Sequence, residues 1–262
     1  MDLKEAPKIP LNSAQRHPWE LARLEVIYNL LKKICPNAEQ SSMHILDIGC
    51  GDTFVVDNLS RRLPFAKFSA VDSEFTDTDI SRFRERYKGR PLDVYRSLDC
   101  LWRTTPEQID IILLLDVIEH VKDDCGFLKK LRTMPGVSDG TVFLLTVPAF
   151  QSLFSKHDVY LKHHRRYNKI QLINTLIDAG FHLQKSGYFF SSLLLVRVFE
   201  KAAEVTSPHN IQNEKGIGAW RSRYMLDDFI KHCLIIDYKV ARWVSNYGLN
   251  MPGLSAYAIC IT

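Results

Sequence analysis

Ile45-Leu46-Asp47-Ile48-Gly49-Cys50-Gly51-Asp52 is the stretch that decides how this chain folds. A short apolar run ending on two glycines reads as a buried strand over 44–48 that turns sharply at its carboxyl end. Glycine at 49 and 51 lets the backbone pass close to a ligand where a Cβ would stand in the way. A dinucleotide-binding loop opens in the same manner, but it wants Gly or Ala where this chain has Phe54, and it does not usually carry an acid at Asp47.

Outward from that strand, short apolar runs alternate with helical stretches, the mark of an α/β chain with a mainly parallel sheet. Strands are expected over 66–71, 92–96, 110–115 and 141–147. The last two are the most apolar, and belong at the centre of the sheet because strands covered on both faces lose alternation. Helices are expected over 54–62, 76–87 and 125–133, and before the first strand over 19–34, where Leu21, Leu24, Ile27, Leu30 and Leu31 form one stripe. Asn168 caps a further helix that Gly180 ends, followed by a strand near 181–188. From 189 to 248 two helical stretches flank a Ser-Pro-His-Asn turn near Ser207 and a glycine-rich run at 216–218, and an alternating strand closes the chain over 255–262. The expected organisation is an N-terminal helical segment (1–40), a doubly wound core (41–188 with 252–262) and a helical insertion or lid (189–251).

Composition narrows the class. The chain has 262 residues, 46% apolar and 24% charged, and its 34 basic against 30 acidic residues leave +4, too little for a general nucleic-acid surface. No DNA partner is expected. Six single cysteines without a Cys-x-x-Cys pair fit a reducing compartment. The mixed-charge amino terminus lacks a secretory h-region, and the longest apolar runs fall short of the roughly 20 residues that span a bilayer, so a cytoplasmic location is expected, with contact at the inner membrane face left open.

Acids recur at the carboxyl ends of the expected strands, where ligands of such sheets bind. Asp72 ends the second strand, placed to accept both hydroxyls of a ribose. Asp99 follows the third and would accept from an adenine amino group. Asp116-Val117-Ile118-Glu119-His120-Val121 ends the fourth.

On these residues the chain resembles the class I S-adenosylmethionine-dependent methyltransferases, over about 19–188 plus the closing strand. Leu46 to Gly51 is similar to that family's first motif, Val71-Asp72 to its ribose-binding acid, and Asp116 to Val121 to its fourth. Thr53 stands where the family often has a third glycine. The resemblance implies a Rossmann-like seven-stranded sheet whose last strand is antiparallel, with the helical insertion before it. His157-Asp158, His163-His164-Arg165-Arg166-Tyr167-Asn168, His17-Pro18-Trp19 and the closing Pro252-Gly253 resemble a bacterial subgroup associated with polysaccharide and other small-molecule pathways.

What the resemblance implies is a methyl transfer from S-adenosyl-L-methionine, with oxygen the expected acceptor atom of a small or lipid-linked, anionic molecule. Asp47, Gly49, Cys50, Gly51, Asp72, Asp99, Cys100, Leu101, Asp116 and Val117 would line the cofactor. His120, His157 and His163 are the candidate bases, since imidazole titrates near working pH. Trp19, His164, Arg165, Arg166 and Tyr167 are the candidate acceptor contacts, unless an arginine pairs with Asp158 or Glu119 and only fixes the loop. Asp116-x-x-Glu119-His120 also has the spacing with which some quinone and RNA methyltransferases hold a divalent ion, but its first position is the shorter Asp, and no metal is expected. The whole surplus of four positive charges falls between Lys156 and Lys169. The broad apolar stripes of 189–248 fit a cap, a homodimer face or a peripheral membrane contact. Two other functions stay open, a non-catalytic S-adenosylmethionine-binding module and an RNA methyltransferase.

Overall fold

The computed structural model describes residues 16–104, 107–206 and 224–262. Its seven strands are β1 (His44–Ile48), β2 (Lys67–Val71), β3 (Leu92–Tyr95), β4 (Ile111–Leu115), β5 (Val142–Pro148), β6 (His182–Phe189) and β7 (Ser255–Ile261). They form one sheet in the order β3-β2-β1-β4-β5-β7-β6, parallel except for β7, which runs antiparallel to both neighbours. The order reverses between β1 and β4, so the carboxyl ends of these two strands border the crevice of a doubly wound sheet. The expected seven-stranded Rossmann-like sheet with its antiparallel last strand is the one observed.

Helices cover both faces. On one side lie α1 (Pro18–Ile34), α2 (Phe54–Arg62), α3 (Asp77–Arg86) and α9 (Tyr224–Ser245), whose apolar residues share a core with Ile45, Phe68, Leu113 and Tyr257. On the other lie α4 (Leu98–Thr104), α5 (Asp124–Arg132) and α7 (Lys169–Asp178), packed on Leu46, Ile112, Leu145 and Cys260. The short α6 (Lys156–Tyr160) belongs to the loop after β5, and α8 (Ser191–Thr206) follows β6. Strand residues alternate between the two cores, as the period of two requires.

Local chemistry sets the ends of these elements. Thr76 and Asn168 form capping boxes with Asp79 and Gln171 at the starts of α3 and α7. Helix α4 has no counterpart among the expected elements; it spans seven residues and buries only Leu101, which leaves no stripe to read. The insertion does not stand apart from the core, because Leu234 and Tyr238 of α9 are buried with Leu30 and Leu31 of α1. The Ser207 turn and the 216–218 glycines lie outside the described residues. No helix among the described residues is long and apolar enough to cross a membrane.

Candidate functional site

The turn after β1 is built on backbone that only glycine adopts cheaply. Gly49 and Gly51 have φ of +74° and +57°. A Cβ on Gly49 would lie 2.7 Å from Val117 Cγ2, so the glycine keeps the β1 turn in contact with the turn after β4. Asp72, at the end of β2, accepts from the Gly51 amide at 2.8 Å and from the Glu74 amide at 3.0 Å, which fixes its carboxylate across the crevice mouth. Asp47 is buried with Oδ1 unpartnered, and burial pushes its carboxyl up to about 7. Burial likewise raises the Cys50 thiol, which keeps it protonated.

Thr53 takes the place of a third glycine while adopting the glycine-like conformation, with φ of +67° at the start of α2. Its hydroxyl donates to the Asp52 carbonyl at 2.5 Å and meets the Tyr87 hydroxyl at 2.6 Å. The departure from the family pattern therefore preserves the loop.

Helix α1 is clamped to this edge by two arginines. Arg16 pairs with Glu20 at 2.9 Å and with Asp52, and its guanidinium lies 4.3 Å over the Phe54 ring. Arg23 reaches Asp116 Oδ2 at 2.8 Å and Thr146 Oγ1 at 3.0 Å, and Thr146 donates to the other Asp116 oxygen at 2.9 Å. Asp116 is itself in the left-handed region, with φ of +59°. Of these residues only Asp116 was among the sequence candidates; Arg16, Glu20, Arg23, Asp52, Phe54 and Thr146 were not, and the acid at 52 beside the second glycine was the available signal.

Asp99 and Cys100 are exposed on the first turn of α4, whereas Leu101 is turned into the core below. The three residues grouped around an adenine from the sequence thus divide between the surface and the core. Trp19 lies on α1 with its ring 6.5 Å from Phe190 and the Arg23 guanidinium 5.4 Å from its face, and its buried indole N–H has no acceptor.

The loop after β5 folds back against the 3-10 turn Ile118–His120. The His164 amide donates to the Glu119 carbonyl at 2.7 Å. The rings of His120 and His163 meet edge to face at 4.6 Å, and His163 Nδ1 lies 2.8 Å from Asp158 Oδ1. Burial would raise the Asp158 carboxyl, but hydrogen bonds from His163 and Arg166 hold it well below the usual carboxylate range. Glu119 is fully buried with both oxygens unpartnered, and burial together with the Asp116 charge pushes its carboxyl well above the ordinary value. One ligand-type atom each from Glu119, His120 and His163 fall within 4.8 Å of one another. His157 sits on α6 against the Tyr160 ring, at 6.4 Å.

The remaining loop candidates are committed to the protein itself. Arg166 donates to Asp158 at 2.8 Å, and Arg165 to Asp124 at 2.9 Å and to the Lys122 carbonyl at 2.6 Å. Tyr167 is buried, donating to Asp124 at 2.6 Å. Only the His164 side chain of that run is exposed.

Comparison with known proteins fits this geometry. A family model described as a methyltransferase domain matches residues 20–202. Similar curated relatives include ubiquinone biosynthesis O-methyltransferases of Chelativorans sp., 30% identical over 107 residues (40% of this chain and 40% of the relative), and of Brucella anthropi, 26% identical over 141 residues (50% and 54%). The chain spans about half or less of the length of these relatives. Among solved structures, a putative sarcosine dimethylglycine methyltransferase from Galdieria sulphuraria superposes with a TM-score of 0.55 at 12% identity, covering 91% of this chain and 84% of the other. The phosphoethanolamine N-methyltransferase 2 of Haemonchus contortus, solved with S-adenosyl-L-methionine, does so with 0.54 at 15% identity, covering 90% and 51%. At such identities the likeness is one of fold. The family model runs from α1 into α8 and takes in the glycine turn, Asp72 and the β4 edge, and the chain accordingly belongs to the methyltransferase domain family.

Proposed function

We propose that this protein transfers a methyl group from S-adenosyl-L-methionine to an oxygen of a small or lipid-linked acceptor. The observation that carries the proposal is the cradle at the sheet's switch point: the Gly49 turn with no room for a Cβ, flanked by the Asp72 carboxylate. These residues fit the cofactor, whose methionine portion would lie along the glycine backbone and whose ribose hydroxyls would face Asp72. When bound, it supplies a methyl already activated on a cationic sulfur. What the protein must add is alignment of the acceptor, worth about 7–11 kcal/mol at best, and removal of the acceptor's proton.

For the proton, the Asp158–His163 pair has the arrangement of an oriented base: an ionised carboxylate holds Nδ1–H, which leaves Nε2 as the acceptor. His120 stands against it. The orphaned Trp19 indole N–H supports an acceptor bearing oxygen beside the aromatic pair Trp19 and Phe190. The curated relatives named as O-methyltransferases favour oxygen as the methylated atom. Since Arg165 and Arg166 are already paired, an anionic acceptor would have to rely on the exposed Lys156 and Lys162.

For a partner, the outer face of α9 supports a second copy of this chain. Phe229, Cys233, Ile236, Val240 and Trp243, with Tyr247 in the turn just beyond the helix, alternate at spacings of four and three and are all exposed, Trp243 and Tyr247 by 60% and 69%. A strict 3.5-residue period keeps one seam facing a partner helix. The seam is flanked by His232, Asp237 and Lys239, of both signs, where a membrane-lying helix would carry a basic border. In a parallel two-fold pair, His232 of one copy meets Asp237 of the other. Light scattering is expected to give a dimer that Trp243→Glu splits; a monomer that cosediments with anionic liposomes would replace this partner with a membrane.

Calorimetry is expected to show binding of S-adenosyl-L-methionine and none of NAD, with Asp72→Asn weakening affinity about 10- to 100-fold. Release of S-adenosylhomocysteine should depend on a hydroxylated acceptor. Binding without release across an acceptor panel would leave a non-catalytic cofactor module. His163→Asn should cost about 10²- to 10⁴-fold in turnover. The Glu119, His120 and His163 donors would also suit a divalent cation. Turnover retained after exhaustive chelation keeps the base; loss restored by an added metal ion replaces it.

A further inference from the structure

Away from the crevice, α1, β6 and α9 bring cations together with no carboxylate among the described residues to neutralise them. Lys33, in the last turn of α1, has its ammonium group buried without a hydrogen-bond partner. Lys185 of β6 and Arg242 of α9 place two further positive charges beside it. Burial, and then these two neighbours, hold the Lys33 ammonium below its usual range. Among the described residues no carboxylate pairs with any of the three.

The register explains why they meet. Lys185 pairs with Ile259 of β7 and Gly187 with Tyr257, and both β7 residues face the core that α1 and α9 share. Gly187 has no side chain to fill the space, since a Cβ there would stand 2.9 Å from the Tyr257 hydroxyl. Tyr238 precedes Arg242 by one turn of α9, and its buried hydroxyl faces that guanidinium. A buried ammonium without a partner, a buried phenol beside Arg242 and the exposed residues Lys185 and Arg242 therefore converge from three elements.

A buried ammonium beside like charges is unfavourable unless an anion joins it. Ammonium and guanidinium groups only donate, and the phenol donates as well, so the missing ligand is rich in acceptor oxygens. The guanidinium fork matches two oxygens of a phosphate, and ammonium groups neutralise its charge as point cations. We propose that Lys33, Lys185, Arg242 and Tyr238 form a binding site for a soluble phosphate oxyanion, either inorganic phosphate or a phosphate monoester. The withdrawn position of the Lys33 nitrogen favours a soluble anion over a headgroup held in a bilayer plane. Lys33 lies ten residues along α1 from Arg23, about 15 Å at 1.5 Å per residue, so the site is separate from the crevice. It does not depend on the methyl-transfer proposal.

Thermal unfolding and calorimetry with inorganic phosphate and with glycerol 3-phosphate test it, with sodium chloride holding ionic strength constant. Both methods are expected to show a saturable response beyond the chloride control, and the stronger of the two ligands identifies the source. Lys33→Met should raise the midpoint without phosphate, because it removes the uncompensated charge, and should abolish the response. Arg242→Gln is expected to weaken phosphate about tenfold or more, while Lys129→Met, on exposed α5, keeps the parent's affinity. A response equal to that of chloride, one retained in both Lys33→Met and Arg242→Gln, or binding confined to phosphatidylglycerol vesicles would overturn the site.

Discussion

At residue scale, Thr53 shows how a departure from a motif is absorbed. A β-branched residue in the left-handed region costs of order 1–3 kcal/mol, and two hydroxyl hydrogen bonds, to Asp52 and Tyr87, return a similar amount. Thr53→Gly should therefore leave stability within about 1 kcal/mol of the parent in urea unfolding. Thr53→Val, which keeps the strain and loses both bonds, should cost about 2 kcal/mol. Asp47 gives a pH signature. Its folded carboxyl titrates at about 7 against 3.8 for the ordinary group, so between these values the folded chain holds a proton that the unfolded chain has released. The stability this confers is complete below about 4 and is lost as pH rises toward 7. Asp47→Asn should remove that slope from a plot of midpoint against pH for the cofactor-free protein.

At the scale of elements, α1 is held by charge as well as by its apolar stripe. Arg23→Met strands Asp116 beside Thr146 and should cost about 3 kcal/mol in denaturant unfolding. Lys32→Met breaks the exposed pair with Glu39 and the ammonium's contact with the Tyr28 ring, and should change stability by less than about 0.5 kcal/mol. Such elements were largely legible in the sequence. The strand at 44–48 and the helix at 54–62 have the boundaries read from apolar runs and the glycine turn, and Asn168 and Thr76 cap where their side chains permit. Helix α4 was not legible, because one buried leucine in seven residues makes no period. Asp72 and Asp116 were readable as candidates because each directly follows a strand. The distant partners of Arg16 and Arg23 were not, since these bonds span 36 and 123 residues and exist only once α1 lies across the turn after β1 and the edge of β4 and β5. The pairing of an arginine with Asp158 was one of the readings the sequence left open, and Arg166 makes it; that the same carboxylate also holds His163 was not read.

For the whole molecule, the sheet is the common wall of two apolar cores, and α1 and α9 enter the same one. Unfolding either helix layer strips a face of the same strands. Calorimetry should accordingly give a single transition with equal calorimetric and van't Hoff enthalpies; two resolved transitions would make 189–251 an independent unit. The antiparallel β7 also has a consequence for synthesis. It lies inside the sheet, between β5 and β6, yet it is translated after both. The ribosome needs about 3–13 s to add residues 190–254 at about 5–20 residues per second. Through that interval β5 and β6 each keep a bare edge, with backbone donors and acceptors open to any other strand. The nascent chain is therefore most prone to aggregate before β7 is made, and slower translation of residues 190–254 lengthens that exposure.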